Sequence, residues 1–190
     1  MFQNDIEKSL KALKQGGVIL YPTDTVWGIG CDATNASAVE RIYTIKRRNE
    51  AKALLVLVDG FEMLTEYVGH LPSFAIAADL IEKSTRALTV IYPKAKNLAT
   101  NLIANDGSIG IRIVNEPFCK QLIKEFGKPL VSTSANISGS PTPSIYNEIS
   151  EEVRTAVDYI VFWRQDEQQP ASSSSIVKLN IDGSVNMIRW

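Results

Sequence analysis

The feature that most constrains this chain is an apolar run that stops at a proline. Val18-Ile19-Leu20-Tyr21 leads into Pro22-Thr23-Asp24-Thr25-Val26-Trp27-Gly28-Ile29-Gly30-Cys31-Asp32. The run predicts a buried strand, ended where Pro22 removes a backbone donor. Beyond it, the period of two sets Thr23 and Thr25 on one side of an extended segment and Asp24 on the other. Gly28 and Gly30 permit close backbone approach. Polar side chains projected from a strand end into a glycine-lined space suit a small polar ligand. A strand followed by a capped turn accounts for the same residues, and the stretch taken alone favours that plainer reading.

The rest of the chain alternates between helical and extended patterns. Ile6, Leu10 and Leu13 recur at helical spacing, and Gly16-Gly17 follows as a C-terminal cap. Asp32 to Arg47 predicts a helix with Val39, Ile42, Tyr43 and Ile45 inward. Leu54 to Val58, Leu88 to Tyr92, Ser108 to Val114, Leu130 to Thr133 and Tyr159 to Trp163 predict strands. Helices are expected over Phe61 to Val68, Pro72 to Lys83, Glu116 to Phe126 and much of Ile145 to Val157. Pro117 is tolerated in a first turn. Ile176 to Leu179 and Val185 to Ile188 form a closing hairpin around Asp182-Gly183. Interleaved elements place the chain in the α/β class, and two adjacent final strands argue for a mixed sheet. Gln165 to Ser175 is polar and of low complexity, either a surface linker or a mobile lid.

Composition narrows the functions available. A chain of 190 residues fits one domain over 1–190, and 45% hydrophobic residues can bury a core. Twenty basic residues against 21 acidic ones carry no global nucleic-acid signature, so an anionic partner must meet a local patch. Cys31 and Cys119 suggest neither a disulfide framework nor a metal motif. The first residues are acidic and amphipathic, unlike a signal sequence, and no apolar run approaches about 20 residues. A reducing, cytoplasmic setting without membrane contact is expected.

The charge-bearing motifs are few. Lys46, Arg48 and Lys52 form the strongest basic cluster. They suit a solvated helix end, where cations also favour the helix dipole, or a phosphate clamp with Arg48 making forked contacts. Ser132, Ser134, Asn136 and Ser138 end an apolar run with a dense set of donors and acceptors, either a turn stopped by Gly139 or a ligand shelf. Arg112 lies within the apolar strand Ile109-Gly110-Ile111-Arg112, which is costly unless the charge is paired. His70 reads as a loop residue. The sequence offers no Ser-His-Asp set and no Gly-x-x-x-x-Gly-Lys phosphate loop. Trp27, Tyr21 and Tyr43 read as core, with Trp27 also at the glycine-lined mouth.

In order, Tyr-Pro-Thr-Asp-Thr-Val-Trp-Gly, Lys-x-Arg, Ser-Thr-Ser-Ala-Asn-x-Ser-Gly and Ser-Ser-Ile-Val resemble the YrdC/Sua5 family, the threonylcarbamoyl-AMP synthases, from about Leu10 to Arg189. The resemblance implies a YrdC-like domain: a twisted mixed sheet flanked by helices, with a concave basic cleft. It implies ATP binding by Lys46, Arg48, Lys52, Ser108, Asn136, Ser144 and Arg189. Threonine binding falls to Thr23, Thr25, Arg112, Ser134 and Ser174. The implied reaction condenses L-threonine, bicarbonate and ATP into threonylcarbamoyl-adenylate and pyrophosphate. Magnesium accompanies the ATP, and no protein metal site is implied. The product feeds proteins that transfer the threonylcarbamoyl group to tRNA.

Several positions depart from the family pattern. Asn49 and Ala53 stand where proline is common, and Leu57 stands where a threonine-contacting histidine is frequent. Ser84-Thr85-Arg86-Ala87-Leu88-Thr89 replaces Pro-Gly-Pro-Leu-Thr, so no ligand role is assigned there. No residue is singled out as a general base. Two other readings remain open. One is a non-enzymatic RNA-binding module on the same surface, against which the balanced charge stands, with weak tRNA binding compatible with either. The other is a carbamoyl-transfer accessory of the hydrogenase-maturation type, whose zinc-finger cysteines are absent.

Overall fold

Periodicity and caps set the helices. The computed structural model describes residues 2–48, 54–69 and 74–190. Helix α1 (Gln3–Lys14) buries Ile6 and Leu13, and Gly16 follows it with φ of 74°. Helix α2 (Ala36–Lys46) starts four residues later than the sequence predicts, because Asn35 caps it through Ser37 N and Ala38 N. Asp32 instead accepts from Thr34 N and Thr34 Oγ1 in the preceding turn. Helices α3 (Phe61–Tyr67) and α4 (Phe74–Lys83) follow. Helix α5 (Pro117–Phe126) has Pro117 in its first turn, Glu116 as its cap and Gly127 closing it at φ of 70°. The expected helix over 145–157 is broken. A 3-10 turn (Tyr146–Glu148) is followed by α6 (Glu151–Ala156), which Ser150 caps afresh.

Nine strands are described: β1 (Ile19–Tyr21), β2 (Gly28–Gly30), β3 (Leu55–Val58), β4 (Leu88–Tyr92), β5 (Ile109–Ile113), β6 (Leu130–Ser134), β7 (Tyr159–Ile160), β8 (Ser175–Leu179) and β9 (Val185–Arg189). They join into one sheet in the order β7-β1-β2-β6-β3-β5-β4-β8-β9. The pairs β1/β7, β3/β5 and β4/β8 are parallel and the others antiparallel, so the sheet is mixed. Two details differ from expectation. The glycine segment is itself a strand, β2, and β7 stops at Ile160. Beyond Ile160, the Asp5 carboxylate accepts from Phe162 N at 3.1 Å and Trp163 N at 3.0 Å, drawing that segment off the ladder toward α1.

The register divides the sheet into two faces. Val18, Leu20, Ile29, Val56, Val58, Val90, Ile109, Ile111, Val131 and Val177 join the α2 residues Val39, Ile42 and Tyr43 in the larger cluster. Ile19, Tyr21, Leu57 and Leu130 face the other way, into a second cluster with α1 and the α5 residues Phe118, Leu122 and Ile123. That second cluster covers only part of its face. Farther along the same face the side chains change character: Leu55 pairs with Gly110 and Ser132, and Gly110 pairs with Ile91. There the sheet is left open.

Candidate functional site

The open part of this face is the floor of a cavity of about 370 Å³. Alternation explains its lining. In β5, Ile109, Ile111 and Ile113 point into the core, so Gly110 and Arg112 point into the cavity. In β6, Val131 faces the core while Ser132 and Ser134 face the cavity. Thr89 and Ile91 of β4 and Ile176 of β8 complete the floor, and Arg189 of β9 stands in register with Ile176. Gly28 keeps the mouth clear: a Cβ there would lie 2.9 Å from Ser132 Oγ. Trp27 borders the same space with 4% of its surface exposed and packs on Tyr146 at a ring separation of 5.0 Å.

Seven of the residues assigned to ATP or threonine by resemblance meet around this cavity: Thr25, Arg48, Ser108, Arg112, Ser134, Ser174 and Arg189. Thr23 lies one layer beneath. Its hydroxyl donates to Val26 O at 2.9 Å and accepts from Thr25 N at 3.0 Å, so its hydrogen stays within the turn. The Thr25 hydroxyl is 2.9 Å from Thr23 Oγ1. Ser108 Oγ donates to Asp106 Oδ1 at 2.5 Å, and Lys178 Nζ holds the other Asp106 oxygen at 3.0 Å. These bonds lower the Asp106 pKa to about 2. Ser174 Oγ meets Thr89 Oγ1 at 2.9 Å, while Arg189 holds the Ser174 carbonyl through Nε at 3.1 Å and Nη2 at 2.8 Å.

The remaining candidates sit elsewhere. Lys46 is 2% exposed, and its ammonium donates to Ser134 O at 2.6 Å and Asn136 O at 2.8 Å, behind the β6 shelf. Burial, with a smaller contribution from Arg48, pushes its pKa down to about 8. Asn136 accepts from Ser134 Oγ at 2.5 Å and donates to Ser140 O at 2.7 Å. Ser144 donates from N and Oγ to Glu148 and borders a small neighbouring recess with Thr25 and Trp27. Lys52, Asn49, Ala53 and His70 lie outside the described residues. Leu57 is fully buried in the α1–α5 cluster, opposite Arg112 in register, and does not line the cavity.

Sequence reasoning missed two features. Thr89 lines the cavity although its segment carried no assigned role. Its β-strand alternation with Val90, a core residue, was the available signal. Asp24 is the partner that an in-strand arginine demands: its Oδ1 lies 3.1 Å from Arg112 Nη2.

Of the three guanidiniums at the cavity, those of Arg112 and Arg48 have donors unpaired among the described residues. The Arg112 side chain is 3% exposed, and its buried Nε–H has no partner among the described residues. The buried Nε–H of Arg48 has none either, and burial lowers the pKa of that guanidinium. A buried donor left without an acceptor is unfavourable, and an anionic ligand supplies one. The hydroxyls between them provide neutral donors and acceptors. Among the described residues no cluster of three or more His, Cys, Asp or Glu could hold a metal ion.

Residues 11–190 match the model of the Sua5/YciO/YrdC family, described as telomere recombination. A protein of Pseudoalteromonas translucida named threonylcarbamoyl-AMP synthase is 40% identical over 161 residues, covering 84% of this chain and 86% of its own. The crystal structure of E. coli YciO superposes with a TM-score of 0.83 at 25% identity, over 98% of this chain and 89% of that one. P. abyssi Sua5 complexed with L-threonine superposes with a TM-score of 0.77 at 23% identity. That alignment covers 92% of this chain, which spans only half of the longer archaeal one. By the extent of the family match and the identity of this relative, the chain belongs to the Sua5/YciO/YrdC family.

Proposed function

We propose that this protein condenses L-threonine, bicarbonate and ATP into threonylcarbamoyl-adenylate, releasing pyrophosphate, with residues 1–190 working as one domain. The observation that carries this reading is a single cavity lined by three arginines, of which Arg48 and Arg112 each have a buried Nε–H lacking a partner among the described residues. Arg112 suits an amino-acid carboxylate, and Arg48 with Arg189 suits a polyphosphate. The relative 40% identical to this chain bears the name of that synthase.

In this reading Arg112 takes the threonine carboxylate, with Thr25, Ser134 and Ser174 around the amino acid. Arg48 and Arg189 face the nucleotide together with Ser108. Lys46 and Asn136 support the nucleotide side from behind Ser134, and Thr23 supports the threonine side from beneath. The threonine amine adds to the carbon of bicarbonate-derived CO2 and loses a proton, giving a carbamate. A carbamate oxygen then attacks the α-phosphorus of ATP, and the bond from that phosphorus to the bridging oxygen breaks as pyrophosphate leaves. The chain contributes positioning and charge neutralisation to both steps. Magnesium would travel with the triphosphate, held by phosphate and water. Asp24 and Asp106, which bond to residues of the cavity wall, are already engaged by Arg112 and by Ser108 with Lys178.

The test is to incubate the protein with ATP, bicarbonate and labelled threonine. Threonylcarbamoyl-adenylate carrying the label is expected. ATP and threonine binding without any such product would refute the reading.

A further inference from the structure

We infer that Asp24 is a positioning residue for amino-acid recognition, holding the Arg112 guanidinium so that its free Nε–H is presented to the carboxylate of the substrate. The inference rests on the functional reading above and adds a residue to it.

Asp24 grips β5 at two points. Its Oδ1 lies 3.1 Å from Arg112 Nη2, and its Oδ2 accepts from Asn115 N at 3.0 Å, just past the end of the strand. One carboxylate therefore pairs with the guanidinium by charge and hydrogen-bonds the backbone just past the strand that carries it. Thr23 Oγ1 lies 3.5 Å from the same Nη2. Arg112 borders the 370 Å³ cavity, whereas Asp24 and Asn115 border a second cavity of about 390 Å³. The ion pair thus stands in the wall between two solvent spaces, with Arg112 facing the substrate side.

A pair that served only to neutralise a buried arginine would be expected to satisfy its buried donors. This one does not: Arg112 Nε and Asp24 Oδ1 are both buried, and neither has a hydrogen-bond partner among the described residues. A guanidinium is planar, so fixing Nη2 on one side sets the direction of the remaining donors. The Asp24 charge reduces the net attraction for an anion. Against that, removing it leaves a 3% exposed guanidinium without its counter-charge and held, among the described residues, only by the 3.5 Å contact to Thr23 Oγ1, which costs geometry at the place where the substrate must be oriented.

Asp24→Asn and Asp24→Glu test this by calorimetry with L-threonine, with threoninol, which lacks the carboxylate, and with ATP. The wild type binds threonine more tightly than threoninol. Asp24→Asn should lose about tenfold in threonine affinity while threoninol and ATP change by less than about twofold. Asp24→Glu keeps the charge but displaces it by one methylene, and should lose threonine affinity by a smaller factor with the same selectivity. It decides the matter if the asparagine variant does not fold. Unchanged threonine affinity in the folded variants overturns the inference, as does an equal loss for all three ligands. A wild type that binds no threonine overturns the functional reading itself, and this inference with it.

Discussion

Lys46 couples the site to pH in two opposed directions. Burial and Arg48 bring its folded pKa down to about 8 from an ordinary 10.5. Below about pH 8 the ammonium is charged and adds to the positive field around Arg48. As pH rises through that value the charge is lost, so ATP affinity should fall between about pH 7 and 9.5. Lys46→Arg keeps its charge across that range and should show a flatter profile. Stability has the opposite sign. Between about 8 and 10.5 the unfolded chain holds a proton that the folded chain has released, so this group makes folding more favourable as pH rises. Calorimetric titration of ATP at both ends of the window checks the first statement. Equal affinities in the wild type would contradict it.

Single residues were legible to different degrees. Arg112 stood out because a charge within an isoleucine-rich strand demands a reason, and strand alternation alone gave its direction. Its partner was less visible. The period of two sets Asp24 away from Thr23 and Thr25, and nothing local in the sequence links it to a strand almost ninety positions later. Leu57 shows the converse: resemblance drew attention to it, yet its side chain lies in the α1–α5 cluster with Phe118 and Leu130.

At the scale of elements, the caps were clear where one side chain sets a boundary. Glu116 and Pro117 open α5 as their order implies. Glu116 does more than cap. It is 4% exposed, accepts from Cys119 N at 2.8 Å and from Trp163 Nε1 at 3.1 Å, and so ties α5 to the segment after β7. Glu116→Ala removes an acceptor from two donors and should lower stability by about 2 kcal/mol, read as a shift of the urea midpoint at constant m-value. An unchanged midpoint would show that water replaces both contacts.

The elements that escaped the sequence did so for physical reasons. β2 has a single apolar side chain, Ile29, between two glycines, so it carries neither alternation nor strand propensity. It pairs because the absence of Cβ at Gly30 allows approach to Tyr21 and the Val131 carbonyl. The helix expected over 145–157 was divided by local competition. Glu148 accepts from Ser144, and Ser150 starts a new helix three residues before Val153.

At the scale of the whole molecule, the site exists because two helices cover only part of one sheet face. The change from Leu130-Val131 to Ser132-Thr133-Ser134 along β6 marks where cover ends, and that change is written in the sequence. What places Arg112 and Arg189 around one cavity is a sheet order in which β5, β4, β8 and β9 are neighbours, and Arg48 joins them from just past the end of α2. No local pattern specifies that order. With 20 basic residues against 21 acidic ones, the chain carries no global nucleic-acid signature. Any tRNA binding should be weak and steeply salt-dependent, and ATP should displace it from the arginine-lined cavity. Tight tRNA binding at physiological salt that excess ATP does not displace would contradict that expectation.

The central claim is that one cavity joins an amino acid, a one-carbon unit and a nucleotide. The most direct measurement supplies 13C-bicarbonate with ATP and threonine, and follows the carbon label and pyrophosphate together. The label is expected in the carbamoyl carbon of threonylcarbamoyl-adenylate, with one pyrophosphate released per product and none when threonine is omitted. Pyrophosphate released without threonine, or product without the label, would contradict it.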